Sequence, residues 1–311
     1  MMKERAARNR TLTLTPQEEA ELKGQLGKLT SPAAVSDITD RTFCQDLIEA
    51  LPFVPDGFAD LLVIDPPYNI ARQFGDMTTA RRSDEEYFNY VMQWLPHVVR
   101  WLKPDGSIYV CCDWASSTVI YQALRACNLT IRNRITWQRD KGRGASHNWK
   151  NCMEDIWYAV ADAKHFYFDL EAVKLKRRVI APYRNAEGTP KDWEETDGGK
   201  YRLTCPSNFW DDVSVPYWSM PENTDHPTQK PEKLIAKLIL ASCPPDGIVA
   251  DPFLGSGTTA VTARKLGRHF MGFECNADYA AWTLKRLDNA ISDRRIQGFA
   301  DGVFWERNSG K

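Results

Sequence analysis

The stretch that most restricts how this chain can fold is Asp251-Pro-Phe-Leu-Gly-Ser-Gly-Thr-Thr259. Gly247-Ile-Val-Ala250 before it is a short apolar run that reads as a buried strand. Ala260-Val-Thr-Ala-Arg-Lys-Leu-Gly267 after it reads as a helix with Gly267 near its C-terminus. Strand, glycine-bearing turn and helix in that order predict a site at the carboxyl end of a parallel sheet. Gly255 and Gly257 let backbone approach a ligand closely, and a helix N-terminus favours an anion. His269-Phe-Met-Gly-Phe-Glu274 follows as an apparent second strand, and its terminal acid is placed to accept hydrogen bonds from ribose hydroxyls. The unit reads as a nucleoside-cofactor site and not a dinucleotide one, since Gly-x-Gly-x-x-Gly and a Walker lysine are both missing. Alone, Gly-Ser-Gly would suit a tight turn without a ligand equally well.

A second signal lies far upstream. Ala59-Asp-Leu-Leu-Val-Ile64 is another apolar strand candidate, and Asp65-Pro-Pro-Tyr68 ends it. Adjacent prolines stop a ladder and stiffen the backbone that follows. Chemistry on an exocyclic amino group needs such a set. The Asp65 carboxylate and the Pro66 carbonyl can accept the two amine hydrogens, drawing the nitrogen lone pair out of ring conjugation. Tyr68 offers a face on which a flipped base stacks.

Asp65-Pro-Pro-Tyr-Asn-Ile70, His226-Pro-Thr-Gln-Lys-Pro231 and Asp251–Thr259 together resemble signature motifs of the amino-group DNA methyltransferases. The catalytic tetrad precedes the cofactor turn, which is the permuted order of that family's beta type. The resemblance spans roughly residues 40–290. It implies a Rossmann-like α/β fold with a mostly parallel, doubly wound sheet and a loop-rich insertion for DNA recognition. It implies S-adenosyl-L-methionine as cofactor, direct methyl transfer without a metal, and double-stranded DNA as partner. A homodimer and a cognate restriction endonuclease acting on the same site belong to the same picture. Carried over residue by residue, the catalytic set is Asp65, Pro66, Pro67 and Tyr68. The cofactor set is Asp46, Asp65, Thr228, Gln229, Lys230, Asp251, Phe253, Gly255, Ser256, Gly257, Thr258, Glu274 and Asn276. Thr228 and amides at the following helix start would hold the methionine carboxylate, with Lys230 adding charge, while His226 is read as structural.

Composition agrees. A chain of 311 residues holds one large α/β domain with an insertion. The eight cysteines are scattered without a Cys-x-x-Cys pair, which favours reduced thiols over a zinc site or a disulfide framework. No apolar run reaches membrane-spanning length and no signal peptide is evident, so a soluble cytoplasmic protein is expected. The resemblance implies a bacterial or phage origin and association with the nucleoid. The net charge is −1, so DNA contacts must come from local clusters.

Residues 1–38 form an N-terminal extension, a basic arm and a helix from Thr15 as N-cap and Pro16 to Gly24. The catalytic domain takes 39–311. Asp46 has two readings, cap of the helix Leu47–Leu51 and neighbour of the cofactor's adenine. Residues 71–83 are polar and suit either a surface loop or one that orders on DNA. Helical periodicity over Glu85–Leu102 puts Tyr87, Phe88, Val91, Trp94, Leu95 and Val98 on one stripe, for a core or a subunit interface. Lys103-Pro-Asp-Gly106 reads as a turn, and Glu232–Leu240 as a strongly amphipathic helix. Strands Ser107–Cys112, Thr130–Trp137 and Met153–Val160 and the helix Ser117–Cys127 complete an alternating pattern.

Residues 139–225 contain the expected target-recognition region. One basic cluster supplies Arg139, Lys141 and Arg143 among Trp137, His147 and Trp149; a second supplies Lys176, Arg177 and Arg178. Cations among aromatics suit phosphate contact and base stacking. Trp137 can wall the target-base pocket or pack the core.

An aspartate at the tetrad's first position goes, in the resembled family, mostly with adenine N6. Cytosine N4 is the nearest rival, methylation of a protein amide a more distant one. A non-catalytic DNA-binding module is the alternative of another class, opposed by the intact Asp65, Tyr68, Gly255 and Gly257.

Overall fold

The computed structural model describes residues 6–70, 72–74, 77–79, 81–139, 146–180, 183–196 and 198–306. Its strands are β1 (Arg41–Cys44), β2 (Ala59–Ile64), β3 (Arg72–Phe74), β4 (Met77–Thr79), β5 (Leu102–Cys112), β6 (Thr130–Gln138), β7 (Met153–Val160), β8 (Leu175–Arg178), β9 (Glu194–Thr196), β10 (Gly199–Thr204), β11 (Phe209–Trp210), β12 (Ile248–Asp251), β13 (His269–Glu274), β14 (Phe299–Ala300) and β15 (Val303–Trp305). An eight-stranded sheet runs in the order β1-β13-β12-β2-β5-β7-β6-β11. Pairing is parallel from β1 through β5 and again between β6 and β11, while β7 lies antiparallel to both neighbours. The mostly parallel α/β sheet expected from the sequence is the one formed.

Helices are α1 (Pro16–Gly24), α2 (Val35–Ile38), α3 (Leu47–Ala50), α4 (Asp84–Met92), α5 (Leu95–Val99), α6 (Ser117–Ala126), α7 (Glu232–Ser242), α8 (Thr258–Lys265) and α9 (Ala277–Ser292). Strand β2 shows the layering directly. Leu62 and Ile64 enter one core with residues of α4, α5 and α6, whereas Leu61 and Val63 enter the other with α7, α8 and α9. From β12 the chain passes through α8 to β13 on one side; from β2 it passes through α4 and α5 to β5 on the other. The strand order therefore reverses between β12 and β2, and their carboxyl ends open a crevice there.

Some expectations change. Periodicity over Glu85–Leu102 resolves into α4 and α5 with a break at Gln93–Trp94, and Tyr87, Val91, Trp94, Leu95 and Val98 are all buried in the core. The stripe serves the core, with Phe88 half-buried against it. Lys103–Gly106 is no free turn but part of β5, where the register jumps from Ala59↔Leu102 to Leu61↔Ser107. The extra residues bulge out while β2 stays paired.

Helix α7 is not amphipathic in its surroundings, because every one of its residues is buried. Leu234, Ile235, Leu238 and Ile239 pack on the large sheet. Ala236, Leu240 and Ala241 pack on Val173, Leu175, Ile296 and Phe304, which belong to or flank a second sheet of order β14-β15-β8-β10-β9. The polar positions survive burial by pairing. Lys237 and Lys233 meet Asp212 at 2.7 and 2.9 Å, and Glu232 meets Arg286 and Lys265 at 3.0 and 2.7 Å. At the N-terminus α1 carries the expected Thr15 cap, closed into a box by Glu18, and docks on α9 through Lys23–Asp278 and Glu18–Lys285 ion pairs.

Candidate active site

The tetrad leaves β2 at the crevice, and neighbouring elements hold it from both sides. Tyr87 donates to the Pro67 carbonyl at 3.0 Å. The Asn69 side chain grips Arg82 through its backbone nitrogen (2.7 Å) and its carbonyl (2.8 Å), so both ends of the intervening segment are tied together. Each oxygen of Asp65 holds a donor. Its Oδ1 accepts from the Tyr68 hydroxyl at 2.9 Å and its Oδ2 from Lys230 Nζ at 2.6 Å. Behind them stands Glu154 of β7, whose Oε2 lies 3.1 Å from the Tyr68 hydroxyl and 3.3 Å from Lys230 Nζ, and whose Oε1 pairs with Arg139.

Burial sets the protonation of this cluster. It pushes the Tyr68 hydroxyl well above its ordinary range, helped by Asp65 and Glu154, so Tyr68 stays a donor. For Lys230 burial works against the charge, but Asp65 and Glu154 outweigh it and hold the ammonium above its usual value. Lys230, assigned by resemblance to the cofactor carboxylate, thus places its ammonium on the tetrad's acid.

A cavity of about 490 Å³ runs from the tetrad to the glycine turn. Among the expected residues it is lined by Asp46, Asp65, Pro66, Pro67, Tyr68, Thr228, Gln229, Lys230, Asp251, Phe253, Gly255, Ser256, Thr258, Glu274 and Asn276. Gly257 is the exception: it has φ +80° and faces Thr283, so it shapes the turn from behind. Gly255, at φ +57°, lies so close to the His226 ring that a Cβ would sit 3.1 Å from Nε2. His226 also stacks edge-on with Tyr279, consistent with a structural part.

Asp251 braces the turn, its Oδ1 accepting from Phe253 N at 2.9 Å and its Oδ2 from Thr259 Oγ1 at 2.6 Å. Burial pushes its carboxyl up to about 7, against the opposing pull of those bonds. Glu274 accepts from Gly255 N at 2.8 Å and Asn276 N at 2.7 Å, and burial raises its carboxyl too. Phe253 is held edge-on by Trp94 at 4.9 Å between ring centroids. Asp46 caps α3 through Ile48 N and also lines the cavity. Gln229 spends its side chain on Thr224 and Glu222.

Among the described residues, the expected DNA residues follow β6 of the large sheet or lie on β8 of the second one. Arg139 turns inward to Glu154. Lys141 and Arg143 lie outside the described residues. Lys176, Arg177 and Arg178 form β8, with Lys176 Nζ 4.8 Å from the Trp305 ring and Arg178 exposed. Trp137 is buried, donates to the Val213 carbonyl at 2.8 Å and packs the core, whereas Trp149 is 90% exposed.

Sequence reasoning gave no site role to Glu154, Tyr87 or Arg286. Glu154 carried a signal, an acid inside an apolar strand, where burial demands a partner. Arg286 lies a full helix away from the turn it braces, donating to the Ser256 carbonyl at 2.7 Å and Thr258 Oγ1 at 3.1 Å. Nothing local announces it.

A doubly wound sheet with a nucleoside-sized pocket opening onto an acid-Pro-Pro-aromatic turn defines the class as a Rossmann-like group-transfer protein. An N6/N4-type family profile described as DNA methylase matches residues 59–285, and the chain belongs to that family. It is 34% identical over 251 residues to the DNA adenine methyltransferase YhdJ of Escherichia coli (strain K12), covering 79% of this chain and 81% of the relative. It is 30% identical over 253 residues to the Type II methyltransferase M.HpaI of Haemophilus parainfluenzae, covering 81% and 75%. Among solved structures, the M1.HpyAVI-SAM complex superposes with TM-score 0.55 at 21% identity, covering 80% of this chain and 98% of the other. The cytosine-N4-specific PvuII DNA methyltransferase does so with TM-score 0.58 at 18% identity, covering 81% and 89%. Both structures share the fold.

Proposed function

We propose that this chain methylates the exocyclic N6 of a flipped adenine in double-stranded DNA, with S-adenosyl-L-methionine as methyl donor. One observation carries the reading: a single cavity joins Asp65-Pro66-Pro67-Tyr68 to the glycine turn and Glu274. The residues fit the cofactor by their donor set. Glu274 keeps acceptor capacity for ribose hydroxyls, Phe253 offers a braced aromatic face, and the start of α8 with Thr228 suits a carboxylate. When bound, the cofactor supplies an electrophilic methyl on a positively charged sulfur.

The chain's own part is positioning. Asp65 and the Pro66 carbonyl accept the two amine hydrogens and turn the nitrogen lone pair towards the methyl group. Tyr68 stacks on the base, whose extrusion costs a few kcal/mol. The methylated, cationic nitrogen is strongly acidic and passes its proton to Asp65 or water. Adenine is favoured over cytosine by Asp65 and by the likeness to YhdJ. The fold alone accommodates cytosine N4, as the PvuII enzyme's likeness illustrates.

Tritiated S-adenosylmethionine, purified protein and unmethylated DNA, followed by nucleoside mass spectrometry, test this. N6-methyladenine is expected. N4-methylcytosine would reverse the weight given to Asp65, and cofactor binding without label in DNA would favour the non-catalytic module.

Likeness to a Type II methyltransferase supports a cognate restriction endonuclease as partner. Among the described residues no helix is long and apolar enough to cross a membrane. Work at the bacterial nucleoid is supported by the likeness to a bacterial DNA methyltransferase. A homodimer rests on family resemblance, since the α4–α5 stripe is spent on the core. Sedimentation showing only monomer at micromolar concentration would remove it.

A further inference from the structure

A target amine must compete at Asp65 with two donors already seated there, Tyr68 on one oxygen at 2.9 Å and Lys230 on the other at 2.6 Å. Both donors already reach a second carboxylate. Glu154 Oε2 is 3.1 Å from the Tyr68 hydroxyl and 3.3 Å from Lys230 Nζ. We propose that Glu154, fixed by Arg139, is a positioning residue that takes over these two donors and so frees Asp65 for the target amine. The inference rests on the proposed amine methylation at Asp65.

Geometry and charge both support it. The Glu154 side chain is only 5% exposed and that of Lys230 7%, so neither is satisfied by solvent. Arg139 occupies the other Glu154 oxygen, which aims Oε2 at the cluster. Asp65 and Glu154 carry two carboxylates, Lys230 and Arg139 two cations, and the set, with Asp65 and Arg139 half-buried, is balanced as a whole. The groups facing it are Tyr68 beside Asp65, Cys111 and Cys112 of β5, and Asp251 at the end of β12. Cys111 and Cys112 are held protonated by burial. Arg139 is thereby given a task other than the phosphate contact its sequence neighbourhood suggests.

The test compares Arg139→Gln, Glu154→Gln and the double variant with wild type. Single-turnover methyl transfer is followed against pH, cofactor affinity by calorimetry, and melting temperature on protein free of cofactor and DNA. Glu154→Gln removes an anionic acceptor and should slow transfer by about ten- to a hundredfold with cofactor affinity unchanged. Arg139→Gln leaves one uncompensated negative charge, so the acid limb of the rate profile should move up by about one pH unit. The double variant is neutral again: its limb should return to the wild-type position while the rate stays low. In the free protein, the melting-temperature gap between wild type and Arg139→Gln should narrow as pH falls, because the unbalanced folded cluster then takes up a proton.

An unmoved limb together with a pH-independent gap would reduce the pair to packing and overturn the inference. An unmoved limb with the salt slope of DNA binding lowered by about one would return Arg139 to a phosphate contact and overturn it equally. A wild type that transfers no methyl to DNA sinks the proposed function, whereas the melting-temperature gap still judges the charge pairing independently.

Discussion

Alanine at position 257 would place a methyl carbon 2.5 Å from Cγ2, 2.6 Å from Oγ1 and 2.8 Å from Cβ of Thr283. Thr283 cannot move aside readily. It is fully buried in α9, and its hydroxyl bonds to the Tyr279 carbonyl at 3.1 Å and the Gly255 carbonyl at 3.3 Å. The backbone adds its own term, since Gly257 sits at φ +80°, where a residue with a Cβ costs about 1–2 kcal/mol. Overpacking a filled interior costs typically 1–3 kcal/mol. Gly257→Ala should therefore lose about 2–5 kcal/mol, read from urea unfolding followed by tryptophan fluorescence. Cofactor affinity should fall with it, because the displaced turn carries Gly255 and Ser256 into the cavity. Thr283→Ala removes Cγ2 and Oγ1 but keeps Cβ, so it should relieve only part of the clash and leave the backbone term. A coupling of about 1 kcal/mol between the two substitutions is the signature. A loss below about 1 kcal/mol for Gly257→Ala, or strict additivity with Thr283→Ala within about 0.5 kcal/mol, would refute the reasoning.

Asp65→Ala should abolish methyl transfer while cofactor binding stays measurable by calorimetry; near-normal turnover would show that the tetrad is misassigned. Asp251 is raised by burial to about 7, so its neutral form stabilises the fold below the ordinary carboxylate range and that contribution is lost as pH rises towards 7. The stability of Asp251→Asn in cofactor-free protein should accordingly fall less than that of wild type between pH 4 and about 7.5, checked by thermal melts; parallel curves would contradict it. Lys237→Met should cost roughly 3 kcal/mol in urea unfolding, the low end for breaking a buried ion pair, because Lys233 remains 2.9 Å from Asp212. A neutral result would mean that the triad is dispensable.

Much of the fold was legible because strands in a parallel sheet are apolar throughout and their ends are marked by short polar turns. Ala59–Ile64 and His269–Glu274 announced themselves in this way. Helix α7 misled for a physical reason: its charged positions follow the pattern of a solvated face, yet a second sheet covers them and Asp212, Arg286 and Lys265 neutralise them. Lys103–Gly106 misled because a bulge in a strand uses the same residues as a turn.

Sequence by itself determined the class of chemistry. Asp65-Pro-Pro-Tyr68 and Asp251–Thr259 are contiguous stretches whose backbone demands and reactive groups are written locally, so spacing and residue type suffice. Only the tertiary structure decided how the tetrad is kept. Lys230 stands on Asp65, Glu154 behind Tyr68, and Arg139 pairs with Glu154, although these residues lie far apart in the chain. The reason is that a charge's role depends on its burial and on its partner, and both are set by contacts between segments far apart in the chain.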